Sequence, residues 1–253
     1  MNEPRHPLEL LVRDLSLRAE LSAADMQMVL DLPYVLRTIE PGTYIMREAD
    51  PPELCGVLVS GFAYRQKITA EGSRQILAIN IPGEALDFQH LFLEVSDHSV
   101  QMLTRGEVAF VPQAAMVALA RSGDSLMQAI VAKVLADSSI FREWIANVGR
   151  RDARSRAAHL LCELAVRLSA QGLAEEYGYQ LPMTQELLAD SLGLTSVHVN
   201  RMLTSLEADG YILRTRRYIS FPDWPKMRHI ADFNERYLHL GDWRARELAY
   251  LPG

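Results

Sequence analysis

The chain has 253 residues, of which 49% are apolar and 23% are charged. This length accommodates two modest domains, each with its own core, and this composition excludes an intrinsically disordered chain. The formal net charge of −6 excludes attraction of a polyanion by the overall field of the protein. The acidic excess lies in residues 1–150, since residues 151–253 contain equal numbers of basic and acidic residues. Binding to nucleic acid would therefore require a local basic patch.

The two cysteines, Cys55 and Cys162, are far apart in the sequence. We interpret both as buried, unreactive thiols of a reducing cytoplasm. Two cysteines alone cannot hold an iron–sulfur cluster or a zinc ion, so no such centre is expected. The chain also lacks an apolar run of membrane-spanning length and the residue order of a signal peptide. We therefore predict a cytoplasmic protein that makes no contact with a membrane.

Residues 1–122 predict a helical lead-in followed by a β-domain. Residues 8–32 have helical spacing, and Ser22 is a suitable N-cap. From about Arg37 to Val111, short strand-like runs are separated by Gly42, Gly56, Gly61, Gly72, Gly83 and Gly106. This pattern is typical of an antiparallel β-roll, or jelly roll. Such a domain either is purely structural or holds a ligand between its sheets.

A long helix is predicted at residues 123–149. Its seam residues alternate spacings of four and three, as in a two-stranded coiled coil, at Met127, Val131, Val134, Ser138, Phe141, Ile145 and Val148. We predict that this seam forms a homodimer interface, and the alternative is a core helix of a monomer. Gly149 and the charged run after it predict a hinge, so the last domain should comprise residues 150–253.

A helix-turn-helix is predicted between Thr184 and Leu206. Thr184 is a good N-cap for the first helix, and Gly193 can adopt the positive φ that ends it. Thr195 is a good N-cap for the second helix. The apolar residues of this second helix recur at i, i+3, i+4 and i+7, which predicts one buried stripe of Val199, Met202, Leu203 and Leu206.

The opposite side of the second helix is mostly polar, and an α-helix fits the major groove of B-DNA. We expect Arg201 to contact guanine, Asn200 to pair with adenine and Val197 to contact a thymine methyl group. Two further residues, Ser196 and His198, should lie near bases, and Thr195 should lie on a phosphate. The alternative is an ordinary helical corner with a solvated polar face.

Gly210 ends the second helix, and the run YILRTRRYISF follows as two β-prone segments around a basic tip. Three arginines lie in this run with no acidic residue nearby in the sequence: Arg214, Arg216 and Arg217. Its position directly after a helix-turn-helix predicts the wing of a winged helix, with the arginines along the phosphate backbone. A solvated turn is the alternative.

The predicted fold class is α+β: an N-terminal antiparallel β-roll, a long dimerisation helix and a C-terminal winged helix-turn-helix. This order resembles the Crp/Fnr superfamily of bacterial transcription regulators over about residues 30–223. Motifs similar to those of the family include Pro41-Gly42, Val57, Gly61 and Gly83-Glu84, and the phrases TSVHVNR and YLHL resemble alphaproteobacterial members. The resemblance implies a regulator that binds promoter DNA.

The resemblance places an effector pocket at Gly83, Glu84, Asp97, His98 and Ser99. Members that bind cyclic AMP grip its phosphate with an arginine and a serine. Asp97 and His98 stand where the arginine is needed, and a carboxylate there would repel a phosphate. Binding of cyclic AMP is therefore not expected.

Other effectors stay open at this point. Redox-sensing members bind an iron–sulfur cluster through cysteines near the N-terminus, whereas this chain has none before Cys55. His90 and His98 are candidate ligands for haem or another metal, although a structural role is more common for such histidines. Another small molecule, or regulation by abundance alone, would fit equally.

The resemblance also implies two macromolecular partners, a DNA site and RNA polymerase. Family members that read a TGA-type half-site have a glutamate at the position of Val197, so specificity should differ here. A dimer should bind a palindrome, since it presents two recognition helices about one helical turn apart. Family activators contact RNA polymerase through a loop that matches Ala170–Gln180, with Glu175, Glu176 and Tyr177 as candidates; a plain surface loop is the alternative.

A competing hypothesis is a ligand-binding regulatory module that docks onto a protein partner without DNA. An enzyme is the weakest hypothesis, because the sequence shows no nucleophile–base spacing and no phosphate-cradling glycine loop.

Overall fold

The computed structural model describes residues 6–51, 53–174 and 178–241. Within them the chain forms two compact units. The first unit comprises residues up to 63, residues 80–138 and the segment from residue 238 onward. The second comprises residues 64–79 and 139–237. The predicted α+β class is confirmed.

The first unit begins with two short helices, α1 (Glu9–Ser16) and α2 (Ala23–Leu30). Ser22 caps α2 as predicted: its hydroxyl accepts a hydrogen bond from Asp25 N at 3.1 Å, and the Asp25 carboxylate accepts one from Ser22 N at 2.9 Å. This reciprocal capping box satisfies amide groups that have no partner within the helix. The helices bury an apolar set against the roll: Leu8, Leu11, Leu15 and Val29.

The roll contains antiparallel strands in the predicted region. One sheet has the order β1 (Val35–Ile39), β7 (Gly106–Pro112) and β3 (Leu54–Leu58). In the other, β2 (Tyr44–Met46) pairs with β6 (Ser99–Met102). Gly61 and Gly106 are required by close backbone approach, since a Cβ on Gly106 would overlap the Ser60 carbonyl and Gly61 has a φ of +78°. Cys55 is buried in β3, as predicted.

Two helices follow the roll, α3 (Gln113–Arg121) and α4 (Asp124–Arg150). The long helix is present as predicted, but Gly149 does not break it. The chain leaves the helix only after Arg150, and Asp152 then caps the next helix by accepting hydrogen bonds from Arg154 N and Ser155 N. A single glycine costs only about 1 kcal/mol in a helix, which a long helix tolerates.

The second unit contains a hairpin, the winged helix-turn-helix and a short tail. Strands β4 (Ala63–Ile68) and β5 (Arg74–Asn80) precede α5 (Ala153–Ala170), β8 (Gly178–Gln180), α6 (Gln185–Leu192) and α7 (Ser196–Ala208). Then come β9 (Leu213–Thr215), β10 (Tyr218–Ser220) and α8 (Trp224–Ile230). The wing sheet has three strands in the order β8-β10-β9, rather than the two predicted.

The two units are not identical with the predicted domains, whose boundaries at 122 and 149 stay predictions. The division falls after Ser138, inside α4, and residues 64–79 belong with the second unit. The reason lies in contacts that sequence spacing does not show. Arg74 Nε donates to Asp190 Oδ2 of α6 at 2.7 Å, and Gln75 Nε2 donates to the Asp190 carbonyl at 2.9 Å. The same Arg74 lies 3.7 Å from Glu186.

Candidate nucleic-acid interface

The turn between α6 and α7 has the geometry predicted from Gly193. This glycine adopts a left-handed conformation with φ of 61°, and Leu194 N donates to the Ala189 carbonyl at 3.0 Å. The hydroxyl of Thr195 accepts a hydrogen bond from His198 N, which caps α7 as expected. Arg156 of α5 donates to the last carbonyl of α6, that of Leu192, at 2.7 Å. Both helix ends at the turn are therefore fixed.

One side of α7 faces the interior of the domain. Val199, Leu203 and Leu206 are buried, whereas Met202 of the predicted stripe is only half-buried. They pack with the buried residues of α6 and with α5. This packing fixes the rotation of α7 about its axis, so it also decides which side chains point outward.

The outward side of α7 contains the predicted base-reading residues. Val197 is 80% exposed, and Ser196, Asn200, Arg201 and Thr204 are also exposed, whereas His198 is half-buried. Thr195 is exposed at the start of the helix. Within the described part of the chain, the Arg201 guanidinium makes no hydrogen bond or ion pair, so all its donors are available. Because a guanidinium donates in a fixed fork, it matches the two acceptors of guanine.

A contact that sequence reasoning missed lies at the edge of this surface. Gln185, the first residue of α6, donates from Nε2 to Oδ1 of Asn200 at 2.9 Å. The two residues are fifteen positions apart and meet only because α6 crosses α7. The sequence indicated that Asn200 lies on the outward side of α7, but nothing in it indicated that the start of α6 would contact this residue.

The wing presents two of its three arginines to solvent. Arg216 and Arg217 are exposed in the tight turn between β9 and β10, where Arg216 has a φ of 60°. Arg214, in contrast, has an acidic neighbour, although the sequence suggested that none lies nearby. Its Nε and Nη2 donate to Glu207 Oε2 of α7 at 2.9 and 2.6 Å. The Arg214 guanidinium holds the pKa of Glu207 below its usual value.

The reason for this difference is the return of the chain after Gly210. Glu207 and Arg214 are seven positions apart. The turn brings β9 back along the last turn of α7, so the two side chains meet. Arg214 is therefore paired with a carboxylate, and this ion pair joins the wing to α7.

A buried polar network stabilises the helices that position α7. Glu163 of α5 is 0% exposed, and its carboxylate accepts hydrogen bonds from Trp144 Nε1 at 2.9 Å, Tyr237 Oη at 2.9 Å and Arg167 Nη1 at 3.1 Å. His159 Nε2 lies 3.0 Å from the same tyrosine oxygen. Burial is the main cause that raises the pKa of Tyr237 and lowers that of His159. The sequence did not reveal this network.

The seam of α4 is open in the single chain. Ile145 is 72% exposed and Val131 is 37% exposed, while Met127, Val134, Ser138, Phe141 and Val148 are half-buried. Off the seam, the buried residues of α4 include Leu126, Ile130, Ile140 and Trp144. Leu135, beside the seam, adds a side chain that is 61% exposed. An apolar stripe of this kind is typical of a surface that pairs with a partner.

The first half of the predicted effector pocket, Gly83 and Glu84, is held by hydrogen bonds within the first unit. Glu84 is 3% exposed, and its carboxylate accepts hydrogen bonds from Lys133 Nζ of α4 at 3.1 Å and from Asn80 and Ile81. Lys133 also donates to Asp137 Oδ1 at 2.6 Å. Gly83 continues the same loop, donating to the Leu58 carbonyl at 2.7 Å.

The second half of the predicted pocket, residues 97–99, leads into β6. The Asp97 side chain is 77% exposed, His98 is buried with its Nδ1 2.8 Å from Asp97 Oδ1, and the Ser99 hydroxyl accepts from Glu48 N. A cavity of about 250 Å³ opens instead beside Ile45, Asp50, Glu53, Leu86, Asp87 and Val100. None of the five predicted effector residues lines it.

Neither of the two candidate metal ligands, His90 and His98, lies in a described cluster of side chains that could coordinate a metal ion. His90 is buried in a 3-10 turn (Phe88–Leu91) and contacts the Asp87 carboxylate. Among the residues that the structure describes, no group of three or more His, Cys, Asp or Glu side chains is arranged to hold a metal ion. The described helices also include none with the length and apolarity needed to cross a bilayer.

Comparison with known proteins agrees with this architecture. The family model of the Crp-like helix-turn-helix domain matches residues 155–230, and that of the cyclic nucleotide-binding domain matches residues 36–122. The nitrogen fixation regulation protein FixK of Azorhizobium caulinodans is 30% identical over 175 residues, which cover 69% of this chain and 70% of that protein.

Two further comparisons are consistent with this match. The transcriptional activator protein FnrL of Cereibacter sphaeroides is 25% identical over 199 residues, covering 77% of this chain and 79% of that protein. The solved structure of FixK2 from Bradyrhizobium japonicum superposes with a TM-score of 0.71 at 23% identity, covering 79% of this chain and 98% of that one. The chain therefore belongs to the Crp/Fnr family and is a DNA-binding transcription regulator, similar to alphaproteobacterial members.

Proposed function

We propose that the protein acts as a homodimer that binds a palindromic site in promoter DNA, with the outward side of α7 in the major groove. The observation that carries this proposal is the exposure of Asn200 and Arg201 beside the solvent-facing arginines of the wing. An α-helix fits the major groove, and cations beside it neutralise phosphates.

Each side chain of this surface has an expected role. Arg201 donates to guanine, Val197 contacts a thymine methyl group, and Asn200, Ser196 and His198 lie near base edges. Thr195, Arg216 and Arg217 contact phosphates. Arg214 stays a predicted phosphate contact, although its ion pair with Glu207 would have to open or be shared for the guanidinium to reach the backbone.

The dimer is formed by the seam of α4. Its exposed Ile145 and Val131 are covered when two copies of the helix pair, and the half-buried seam residues extend the contact. A twofold axis through this seam presents two recognition helices to one face of the duplex. Their separation of about one helical turn, roughly 34 Å, corresponds to two half-sites of a palindrome.

Cyclic AMP is not part of this proposal. The position that needs an arginine has Asp97, and Lys133 already engages the Glu84 carboxylate. The cavity of the roll is bordered by Asp50, Glu53 and Asp87, whose charges would repel a phosphate. Haem ligation is also left out, since His90 and His98 each contact an aspartate.

The segment Ala170–Gln180 is proposed to contact RNA polymerase. The support is the family resemblance and the placement of this segment between α5 and β8. The three candidates Glu175, Glu176 and Tyr177 lie outside the described residues.

The base-reading role is tested with Arg201→Ala and Arg216→Ala in a binding titration on a library of duplexes. Arg201→Ala should cost about 1–3 kcal/mol, mostly at one base position of each half-site. Arg216→Ala should weaken binding to all sequences alike and reduce the salt dependence by about one phosphate contact. A loss for Arg201→Ala that is equal for every sequence contradicts the assignment.

A second experiment separates this proposal from docking onto a protein. The tagged protein is purified from cells with and without nuclease treatment. A regulator that acts through DNA loses its associated promoter fragments after nuclease treatment, whereas a docking module keeps its protein partner and shows no enriched DNA in the untreated sample.

A further inference from the structure

The hydrogen bond between Gln185 and Asn200 has a consequence for how the protein reads a base. Gln185 lies at the start of α6, outside the recognition helix, and its Nε2 donates to Asn200 Oδ1 at 2.9 Å. This distance is ideal for an N–H···O hydrogen bond. The exposed Asn200 is therefore not a freely rotating amide.

An asparagine amide has two chemically different ends, and a base edge distinguishes them. Oδ1 only accepts hydrogen bonds, and Nδ2 only donates them. An unrestrained amide at a groove-facing position can turn over and satisfy either kind of edge. While Gln185 donates to Oδ1, turning over Asn200 alone would place two amide NH2 groups against each other, so in this arrangement the donor end is directed away from α6.

Within the described residues, no group accepts a hydrogen bond from Asn200 Nδ2, so this donor is available to a ligand. In the major groove, guanine presents two acceptors and thymine presents one, whereas cytosine presents a donor. Adenine presents one of each, so its N7 can also accept from Nδ2, and Oδ1 keeps a second lone pair for the adenine amino group.

We propose that Gln185 is a specificity-determining positioning residue: it orients the amide of Asn200 so that Asn200 presents its donor end to the base edge and disfavours cytosine. This inference rests on the proposed placement of Asn200 at base edges. It assigns part of the specificity to a residue that touches no base.

Three substitutions of Gln185 test whether this residue orients the Asn200 amide or only occupies its position. Gln185→Lys keeps a donor toward Oδ1 and should preserve the preferred base. Gln185→Ala removes the donor and should relax the preference at that position by roughly threefold to tenfold, the range expected for one hydrogen bond. Gln185→Glu offers only acceptors, so the amide should turn over, present Oδ1 and shift the preference toward cytosine or adenine.

The measurement is a competition binding assay on duplexes that vary at every half-site position. Relative affinities between bases are compared, because the added charges of the Lys and Glu variants change binding to all sequences alike. Unchanged thermal unfolding midpoints exclude a folding defect. A merely structural role for Gln185 would reduce affinity evenly and leave the base preference intact, which would overturn the inference.

Asn200→Ala is the control that separates this inference from the proposed function. It should remove the preference at one position and make that position insensitive to every Gln185 variant. If Asn200→Ala changes no base preference, the placement of Asn200 in the groove is wrong. If Asn200→Ala does change it while Gln185→Ala and Gln185→Glu do not, the inference about Gln185 alone fails. A wild-type preference for cytosine at the Asn200-dependent position would also overturn it.

Discussion

Replacing Ile145 of α4 by alanine tests the proposed dimer interface most directly. Ile145 is 72% exposed in the single chain although it lies on the apolar seam. Pairing of two helices would bury it once in each copy. The substitution removes three carbon atoms, each contributing about 0.8 kcal/mol when fully buried. Scaled by the exposed fraction, the loss is about 1.7 kcal/mol per protomer and about 3.5 kcal/mol per dimer, or roughly a 300-fold rise in the dimer Kd.

Sedimentation velocity over a dilution series measures this Kd. Titration of a palindromic duplex provides a second readout, since a weakened dimer should bind DNA with a steeper dependence on protein concentration. Ile145→Lys and Ala146→Lys form a matched pair, because both residues are exposed on the same turn and only Ile145 lies on the seam. The first should dissociate the dimer, and the second should leave it intact.

Two results would refute the reasoning. A dimer that persists unchanged in Ile145→Lys would place the interface on another surface. Equal dissociation by Ile145→Lys and Ala146→Lys would show that added charge, rather than burial of the seam, decides the oligomeric state.

Three further predictions concern buried charge and the wing. Lys133→Met should lower the free energy of unfolding by about 3–5 kcal/mol in urea titrations, because Glu84 would keep a buried charge without its cation; a loss below 1 kcal/mol would contradict this. Asp14 of α1 is buried, and burial raises its pKa above the usual 3.8. The folded state therefore keeps this proton to higher pH than the unfolded state does. The stability falls as the pH rises from the unfolded-state pKa through the folded-state pKa. Asp14→Asn should therefore be more stable than wild type at pH 8 and show no such gain near pH 4, and a pH-independent difference would count against the argument. Glu207→Gln should release Arg214, strengthen binding to all duplexes and steepen the salt dependence by about one phosphate contact, whereas an unchanged slope would show that the wing arginine does not reach the backbone.

Several features of the fold follow from residues close together in the sequence. Ser22, Thr184 and Thr195 cap helices, and Gly193 takes the left-handed conformation that ends α6. Each of these depends on hydrogen bonds to backbone groups within about four residues, so the local sequence is sufficient. The buried stripe of α7 was predictable for the same reason, because helical periodicity alone defines a face.

Local signals failed where a neighbouring element competed. The wing was predicted as a two-stranded hairpin, but β8 pairs with β10 and adds a third strand. No sequence pattern showed that this short segment would return to the edge of the wing.

The sequence by itself determined which segments are helices, which side of α7 is apolar and which polar residues stand on its other side. Only the tertiary structure decided which of those side chains remain available. Arg214 donates to Glu207, Gln185 donates to Asn200, and Lys133 donates to Glu84 across 49 positions of sequence. The physical reason is that capping and periodicity act within a few residues, whereas a side-chain hydrogen bond forms between any two groups that packing brings within about 3 Å.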